Sequence, residues 1–299
     1  MKVDLHIHSE LSDGDDSIEQ LVDYIAEAGI DVFALTDHDR TDGWELAGAL
    51  ANKHGLSFIP GVEITTKGKF EPGSSFGIHL LAYLPDPNHP ELAQLLLTNR
   101  QARDERMKLY VENLKDVHEE LTLELVLKLA AAGSTLGRPD IARALHFLGK
   151  YDTVADVWAS GILGKDTDYY VRVNAPEVRD VIKVVRAAGG VPVIAHPLAR
   201  SDNDDGDAPS FFKRDHFIAL IEAGLLGIET DHIEVSAERK IVFDTFAKEF
   251  DLITTGSSDY HGLKAKPNNP LGLRTTKLEQ LKRILEKGFG SSAVINHSL

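Results

Sequence analysis

Seven short runs of apolar, mostly β-branched residues punctuate the chain, and stretches with helical spacing lie between most of them. The runs are Val3–Ile7, Val32–Leu35, Ser57–Ile64, Gly77–Leu84, Val191–Ala195, Leu226–Glu229 and Leu252–Thr255. Ile18, Leu21, Val22 and Ile25 share one face at helical period, with Ser17 as N-cap and Gly29 as C-cap. Similar helices are predicted over Trp44–His54, Ala175–Ala188, Phe212–Ala223, Ser236–Phe250 and Leu278–Lys287. Repeated strand–helix units imply an α/β protein with a parallel sheet, either open or closed into a barrel. Seven strands suit a barrel of the eight-stranded type or a reduced relative of it.

One stretch breaks the alternation. Between Pro90 and Asp168 helical segments follow one another without a strand: Leu92–Leu114, Thr122–Ala132, Pro139–Leu148 and Thr153–Ala159, with breaks at Gly133, Gly149 and Gly161. This predicts a helical insertion over 90–168, overhanging one end of a barrel made from 1–89 and 169–299. The run Asp202–Pro209 has the composition of a flexible loop.

Composition removes several functions. The chain has 299 residues, 13 His, no Cys and a formal net charge of −15. Non-specific coating of nucleic acid needs clustered Lys and Arg, and docking on an anionic membrane needs a basic face. Without Cys there is no disulfide, thiol nucleophile, zinc finger or iron–sulfur cluster, so any metal must be held by His nitrogen and carboxylate oxygen. The N-terminus enters a polar, alternating segment at once, and no apolar run reaches the roughly 20 residues of a membrane helix. A cytoplasmic location is the expectation.

Ligand-type side chains recur near the ends of the predicted strands. His6 and His8 alternate, so in a strand they project from one face. Asp13 follows closely. Thr36-Asp37-His38-Asp39 comes directly after Leu35, Glu63 after Phe58–Val62, and His79 lies in the run ending at Leu84. His196 follows Ile194-Ala195, and Asp259 and His261 follow Ile253–Gly256. Any one of these reads alone as a core histidine, a capping acid or a turn residue. Together they gather at one barrel mouth, where His and carboxylates buried without a cation would be costly. His54, His89, His118, His146 and His297 lack such a context, while His232 follows a strand and could face the mouth.

His6-x-His8, Thr36-Asp37-His38, Gly61-Val62-Glu63, His79, Ala195-His196-Pro197 and Ser258-Asp259-x-His261 resemble the motif set of the PHP (polymerase and histidinol phosphatase) family, in order and spacing. The resemblance spans nearly the whole chain. It implies a distorted (β/α)7 barrel with a helical insertion domain and a metal-dependent phosphoric monoester or diester hydrolase. It further implies two to three divalent ions on His6, His8, Asp13, His38, Glu63, His79, His196, Asp259 and His261. One ion would take His6, His8, Glu63 and Asp259, a second Glu63, His79 and His196, and a third Asp13, His38 and His261. Manganese leads, with iron or zinc also matching this donor set. Paired ions about 3.5–4 Å apart hold a bridging hydroxide that attacks phosphorus in line. The leaving alcohol needs a proton or a cation, which His38, His196 or the third ion would supply, with Asp13 counted among the catalytic groups.

The substrate reading rests on the insertion. Arg103 and Arg106 share a helix face beside Arg100, and Gly137-Arg138-Pro139 opens a helix after Ser134 and Thr135. A helix N-terminus with hydroxyls and Arg suits a phosphate. Arg143 and, from the barrel, Arg200 complete the substrate-binding set. The Gly-Arg-Pro insertion resembles one PHP subgroup, the nucleoside 3′,5′-bisphosphate phosphatases and their 5′-to-3′ exoribonuclease relatives. That implies removal of the 3′-phosphate to leave a nucleoside 5′-monophosphate, on a small nucleotide or on short oligoribonucleotides. Histidinol phosphatase and a non-catalytic metal-binding module are the alternatives.

Overall fold

A computed structural model describes residues 1–69, 76–197 and 214–297. The seven apolar runs become seven strands of one sheet, ordered as in the chain: β1 (Val3–Ile7), β2 (Val32–Leu35), β3 (Ser57–Gly68), β4 (Phe76–Tyr83), β5 (Val191–Ile194), β6 (Gly227–Asp231) and β7 (Ile253–Gly256). Ile7 bridges Tyr260, and the His8 amide donates to the Tyr260 carbonyl at 2.9 Å, so the two edges meet and the sheet is nearly closed. The helices are α1 (Ile18–Glu27), α2 (Trp44–His54), α3 (Pro90–Leu114), α4 (Leu123–Leu129), α5 (Arg138–Phe147), α6 (Val154–Ala159), α7 (Val178–Ala187), α8 (Arg214–Glu222), α9 (Ala237–Glu249) and α10 (Leu278–Lys287). This is the distorted seven-stranded α/β barrel that the sequence led us to expect.

The sheet is not all-parallel, which corrects one expectation. β4 runs antiparallel to both β3 and β5. Seven residues join Gly68 to Phe76, too few for the crossover that a parallel neighbour needs. β3 also extends past Ile64 to Gly68, its Thr65 and Thr66 opposite His79 and Ile78. The reversal matters for function: the start of β4, not its end, lies beside the ends of the parallel strands, and His79 is near that start.

Local chemistry explains the helix ends. Ser17 and Gln20 form a reciprocal capping box on α1, and Gly29 takes the left-handed φ of 67° just beyond it. α7 begins only at Val178 rather than Ala175, because Pro176 precedes and the Glu177 side chain caps the first turn.

Apolar packing divides in three. A large cluster binds α1, α2, α7 and α9 to the sheet. A second joins Val3, Val32, Val191 and Ile253, the first residues of their strands, to Tyr83, the last of β4, and to Leu281 and Ile284 of α10. It fills the barrel end opposite the ligand-type side chains. The third is formed by Met107, Tyr110 and Leu114 of α3 with α4, α5 and α6. α3 therefore belongs to two cores, since its Leu92 and Leu96 pack with the barrel. Arg103, midway along α3, is 7% exposed and anchors it: its Nε lies 3.0 Å from Asp39 Oδ2, and its Nη2 donates to Thr65 Oγ1 at 2.6 Å. Asp202–Pro209 and the start of the helix expected from Phe212 lie outside the described residues. Among the described residues, no helix is long and apolar enough to cross a membrane.

Candidate metal centre

Strand geometry delivers eight of the expected side chains to one place, and the turn after β1 adds Asp13. His6 comes from β1, with His8 just beyond its end; Glu63 from β3, and His79 from β4. His38, His196, Asp259 and His261 follow β2, β5 and β7. Glu63 is the hub and is 1% exposed. Its Oε1 lies 2.7 Å from His79 Nδ1 and 2.9 Å from His196 Nε2. Its Oε2 lies 3.4, 3.2 and 3.1 Å from His6 Nε2, His8 Nε2 and His38 Nδ1. One carboxylate thus faces five imidazoles. Asp259 Oδ1 approaches His6 and His8 at 3.4 and 3.5 Å, and Asp13 Oδ1 approaches His261 Nε2 at 3.2 Å.

Four groups have donor atoms near enough to share an ion: His8, Asp13, His38 and His261; His6, Glu63 and His196; His6, His8 and Asp259; His38, Glu63 and His79. Asp13 Oδ1, His38 Nδ1 and His261 Nε2 are buried and, for all these close approaches, make no hydrogen bond of proper geometry. Buried polar atoms seldom go unpaired, and divalent cations fit these orphans and this donor set. Backbone strain marks the same region: Asp39, His196 and Asp259 are left-handed, at φ of 56°, 23° and 51°.

The electrostatics fit a cation-binding cage. Burial alone would raise the Glu63 carboxyl, but His38, His79 and His6 hold it well below its ordinary range. Burial alone would likewise raise Asp13, and His261 and His38 keep it well below. Burial would lower His8, yet the Asp259, Glu63 and Asp13 carboxylates push it up to about 9. His38 is pushed well below its ordinary value by burial, aided by the Arg103 charge.

The expected substrate residues separate into distinct surroundings. Arg106 donates from Nε to the Val171 carbonyl at 2.7 Å, and its guanidinium lies 5.7 and 5.5 Å from the Tyr110 and Tyr170 ring centroids. Arg138 Nη1 donates to the Leu163 carbonyl at 2.9 Å, and its guanidinium lies 5.4 Å from the Trp158 ring and 5.9 Å from Tyr170, so both guanidinium groups address Tyr170. Burial, then the Arg138 charge, lowers Arg106 to about 10. Arg138 follows Gly137, where an added Cβ would lie 4.0 Å from Asp13 Oδ2 and 3.9 Å from Arg103 Nη1. The Ser134 hydroxyl is buried without a partner. Arg143 is engaged elsewhere: Nη2 donates to the Asp13 carbonyl at 2.9 Å and Nη1 to Asp140 at 2.9 Å. Arg100 donates to the Asp39 carbonyl at 2.6 Å. Arg200 lies outside the described residues.

Contacts of Glu229, Lys266 and Asp37 went unread in the sequence, whereas His232, which could face the mouth, does so. Glu229, fully buried in β6, pairs with His6 Nδ1 at 3.2 Å. His232 Nε2 lies 3.3 Å from Asp259 Oδ2, which also meets the Lys266 ammonium. Asp37 accepts from the Ser9 amide at 2.8 Å and from the Ser9 and Ser12 hydroxyls, each at 2.6 Å, bracing the turn before Asp13. Glu229 carried the same signal as the others, an acid in a strand aimed at the mouth. Asp37 stood in the Thr36-Asp37-His38-Asp39 run with nothing to mark it as a brace, and Lys266 carried no signal.

A family model described as the PHP domain matches residues 4–174. The chain is 30% identical over 265 residues to the phosphoribosyl 1,2-cyclic phosphate 1,2-diphosphodiesterase of Eggerthella lenta, covering 87% of this chain and 94% of that protein. It is 30% identical to a 5′-3′ exoribonuclease of Haemophilus influenzae (87% and 90% covered) and 29% identical to a 3′,5′-nucleoside bisphosphate phosphatase of Chromobacterium violaceum (87% and 87%). A solved structure from Bifidobacterium adolescentis, described as a candidate metal-dependent phosphoesterase, matches with a TM-score of 0.87 at 33% identity, covering 96% of each chain. The barrel, the carboxylate hub and the family match over more than half its length agree: this chain belongs to the PHP family and is a metal-dependent phosphoesterase.

Proposed function

We propose that the enzyme removes the 3′-phosphate from nucleoside 3′,5′-bisphosphates, leaving the nucleoside 5′-monophosphate. The observation that carries this reading is the pair Arg106 and Arg138, which approach one ring, Tyr170, at 5.5 and 5.9 Å. Two neighbouring guanidinium groups repel each other, and a doubly charged phosphate relieves that cost with bidentate hydrogen bonds. Trp158 and Tyr170 offer flat faces beside them for a base. A substrate with a single phosphate brings no second anion to this pair, which disfavours histidinol phosphate. The E. lenta, H. influenzae and C. violaceum relatives are named for a phosphoribosyl cyclic phosphate, for 5′-3′ exoribonuclease activity and for nucleoside 3′,5′-bisphosphates, which supports the substrate class.

In this reading His6, His8, Glu63 and Asp259 would hold one ion, Glu63, His79 and His196 a second, and Asp13, His38 and His261 a third. Bound divalent ions supply Lewis-acid charge against phosphoryl oxygens and lower the pKa of water, with manganese the leading candidate. The chain's own part is positional. Glu63, with both oxygens already among imidazoles, would serve two sites at once. Arg106 and Arg138 bind the 5′-phosphate and so fix the 3′-ester at the mouth. His38 and His196 border that mouth, and whichever of them is not ligating an ion gives the leaving 3′-oxygen its proton. Asp13 keeps its carboxylate ionised at the far end of the cage. Arg103, with Nε and Nη2 committed to Asp39 and Thr65, has only Nη1 to offer a substrate.

Phosphate release with Mn²⁺ tests this. Adenosine 3′,5′-bisphosphate should turn over far faster than histidinol phosphate, and equal turnover sinks the proposal. Arg138→Ala should raise KM for the bisphosphate more than for an aryl phosphate; equal losses remove Arg138 from the pocket. Short 5′-phosphorylated RNA in the same panel tests the exoribonuclease reading, which the same arginine pair would serve.

A further inference from the structure

The geometry points to Glu229 as the positioning residue that decides which nitrogens of the cage are free to bind ions, a role that rests on the ligand assignment above. Glu229 is fully buried in β6 and touches the ends of three other strands. Its oxygens lie 3.2 and 3.3 Å from His6 Nδ1. The His196 amide donates to Oε2 at 2.7 Å, and the Ser257 hydroxyl donates to Oε1.

A carboxylate only accepts, so the His6 nitrogen facing it carries the proton. The lone pair of His6 then sits on Nε2, which is the nitrogen 3.4 Å from both Glu63 Oε2 and Asp259 Oδ1. The second bond acts on backbone. His196 is held at a φ of 23°, a conformation that side-chain-bearing residues avoid, and from there its Nε2 reaches Glu63 Oε1 at 2.9 Å. The third bond reaches Ser257, two residues before Asp259. Three donors on two oxygens is a demand that only a carboxylate meets. A glutamine here would turn its NH₂ toward either the His196 amide or the His6 and Ser257 donors, losing at least one bond in either orientation. Carboxylates behind metal-binding imidazoles fix their tautomer and ring angle, and losing one costs about 10–100-fold in metal affinity.

The test is Mn²⁺ titration of Glu229→Gln, Ser257→Ala and His6→Ala, with ring-nitrogen NMR of His6 in Zn²⁺-loaded protein. Glu229→Gln should bind Mn²⁺ about 10–100-fold more weakly, with a changed His6 ring signature, while melting as a folded protein. Ser257→Ala, which leaves the carboxylate in place, should bind nearly as the parent does. Unchanged affinity and His6 signals in Glu229→Gln overturn the proposal alone. Unchanged affinity in His6→Ala overturns the ligand assignment and the proposal with it. If Glu229→Gln does not fold, the parent decides: Zn²⁺ on His6 Nε2 with a proton on Nδ1 supports the role, and coordination through Nδ1 refutes it.

Discussion

Arg103→Ala probes how the helical segment is fastened to the cage. Asp39 is wholly buried, next in sequence to His38, and its carboxylate meets Arg103 Nε at 3.0 Å. Removing one partner of a buried pair costs about 3–5 kcal/mol, because the other charge is left behind. Asp39 would keep three donors: the Thr65 amide at 2.9 Å, the Thr65 hydroxyl at 2.7 Å and the Asn99 amide group at 2.7 Å. That places the cost at the low end, about 3 kcal/mol. At about 2 °C per kcal/mol for a chain of this size, the melting temperature should fall by about 6 °C. Urea unfolding of metal-free protein is the right assay, since bound ions would add their own stabilisation. Arg103→Met combined with Asp39→Asn removes both charges, and should cost less than the two single changes summed by at least about 1 kcal/mol. A loss under about 1 kcal/mol for Arg103→Ala, or strict additivity in the cycle, would refute the argument.

Three further outcomes follow from the cage. An added Cβ at Gly14 would lie 2.7 Å from the His8 carbonyl oxygen, so Gly14→Ala must displace the Asp13 turn and lower the metal-to-protein ratio; Gly77→Ala, with open space around it, should not. Arg143→Ala should weaken metal retention more than it raises KM, because Arg143 grips the Asp13 carbonyl and the Asp15 carboxylate; a pure KM effect would return Arg143 to the substrate pocket. Metal uptake should release protons at pH 7.5. His8, raised to about 9, is protonated in the metal-free protein below that pH but must be neutral to ligate. Apparent affinity should therefore fall as pH drops from 8 to 6, by about tenfold per unit for each proton released; calorimetry in buffers of different ionisation enthalpy reads that number directly.

The sequence made the barrel legible because each strand carries its own apolar run and most strand ends carry a ligand-type residue. His6 and His8, two apart before a turn, are enough to place the mouth. What it hid was relational. The reversal of β4 depends on the seven-residue link from Gly68 to Phe76, whose Pro72-Gly73 is a turn signal that strand–helix counting passes over. Arg143 looked like any other insertion arginine, and only the fold shows its guanidinium spent on the Asp13 turn. Glu229 was visible as a strand acid, but its partners come from three strands far apart in sequence. Lys266, beyond the last strand, meets Asp259 only because the loop after β7 folds back over the site.

Anomalous diffraction from crystals grown with Mn²⁺, paired with elemental analysis of the same protein, both counts the ions and places them. Two or more divalent ions per chain are expected, with Glu63 shared between two of them and Asp13 and His261 ligating together when a third is bound. A single ion away from Glu63, or a protein that turns over its phosphate ester with none, would contradict that expectation.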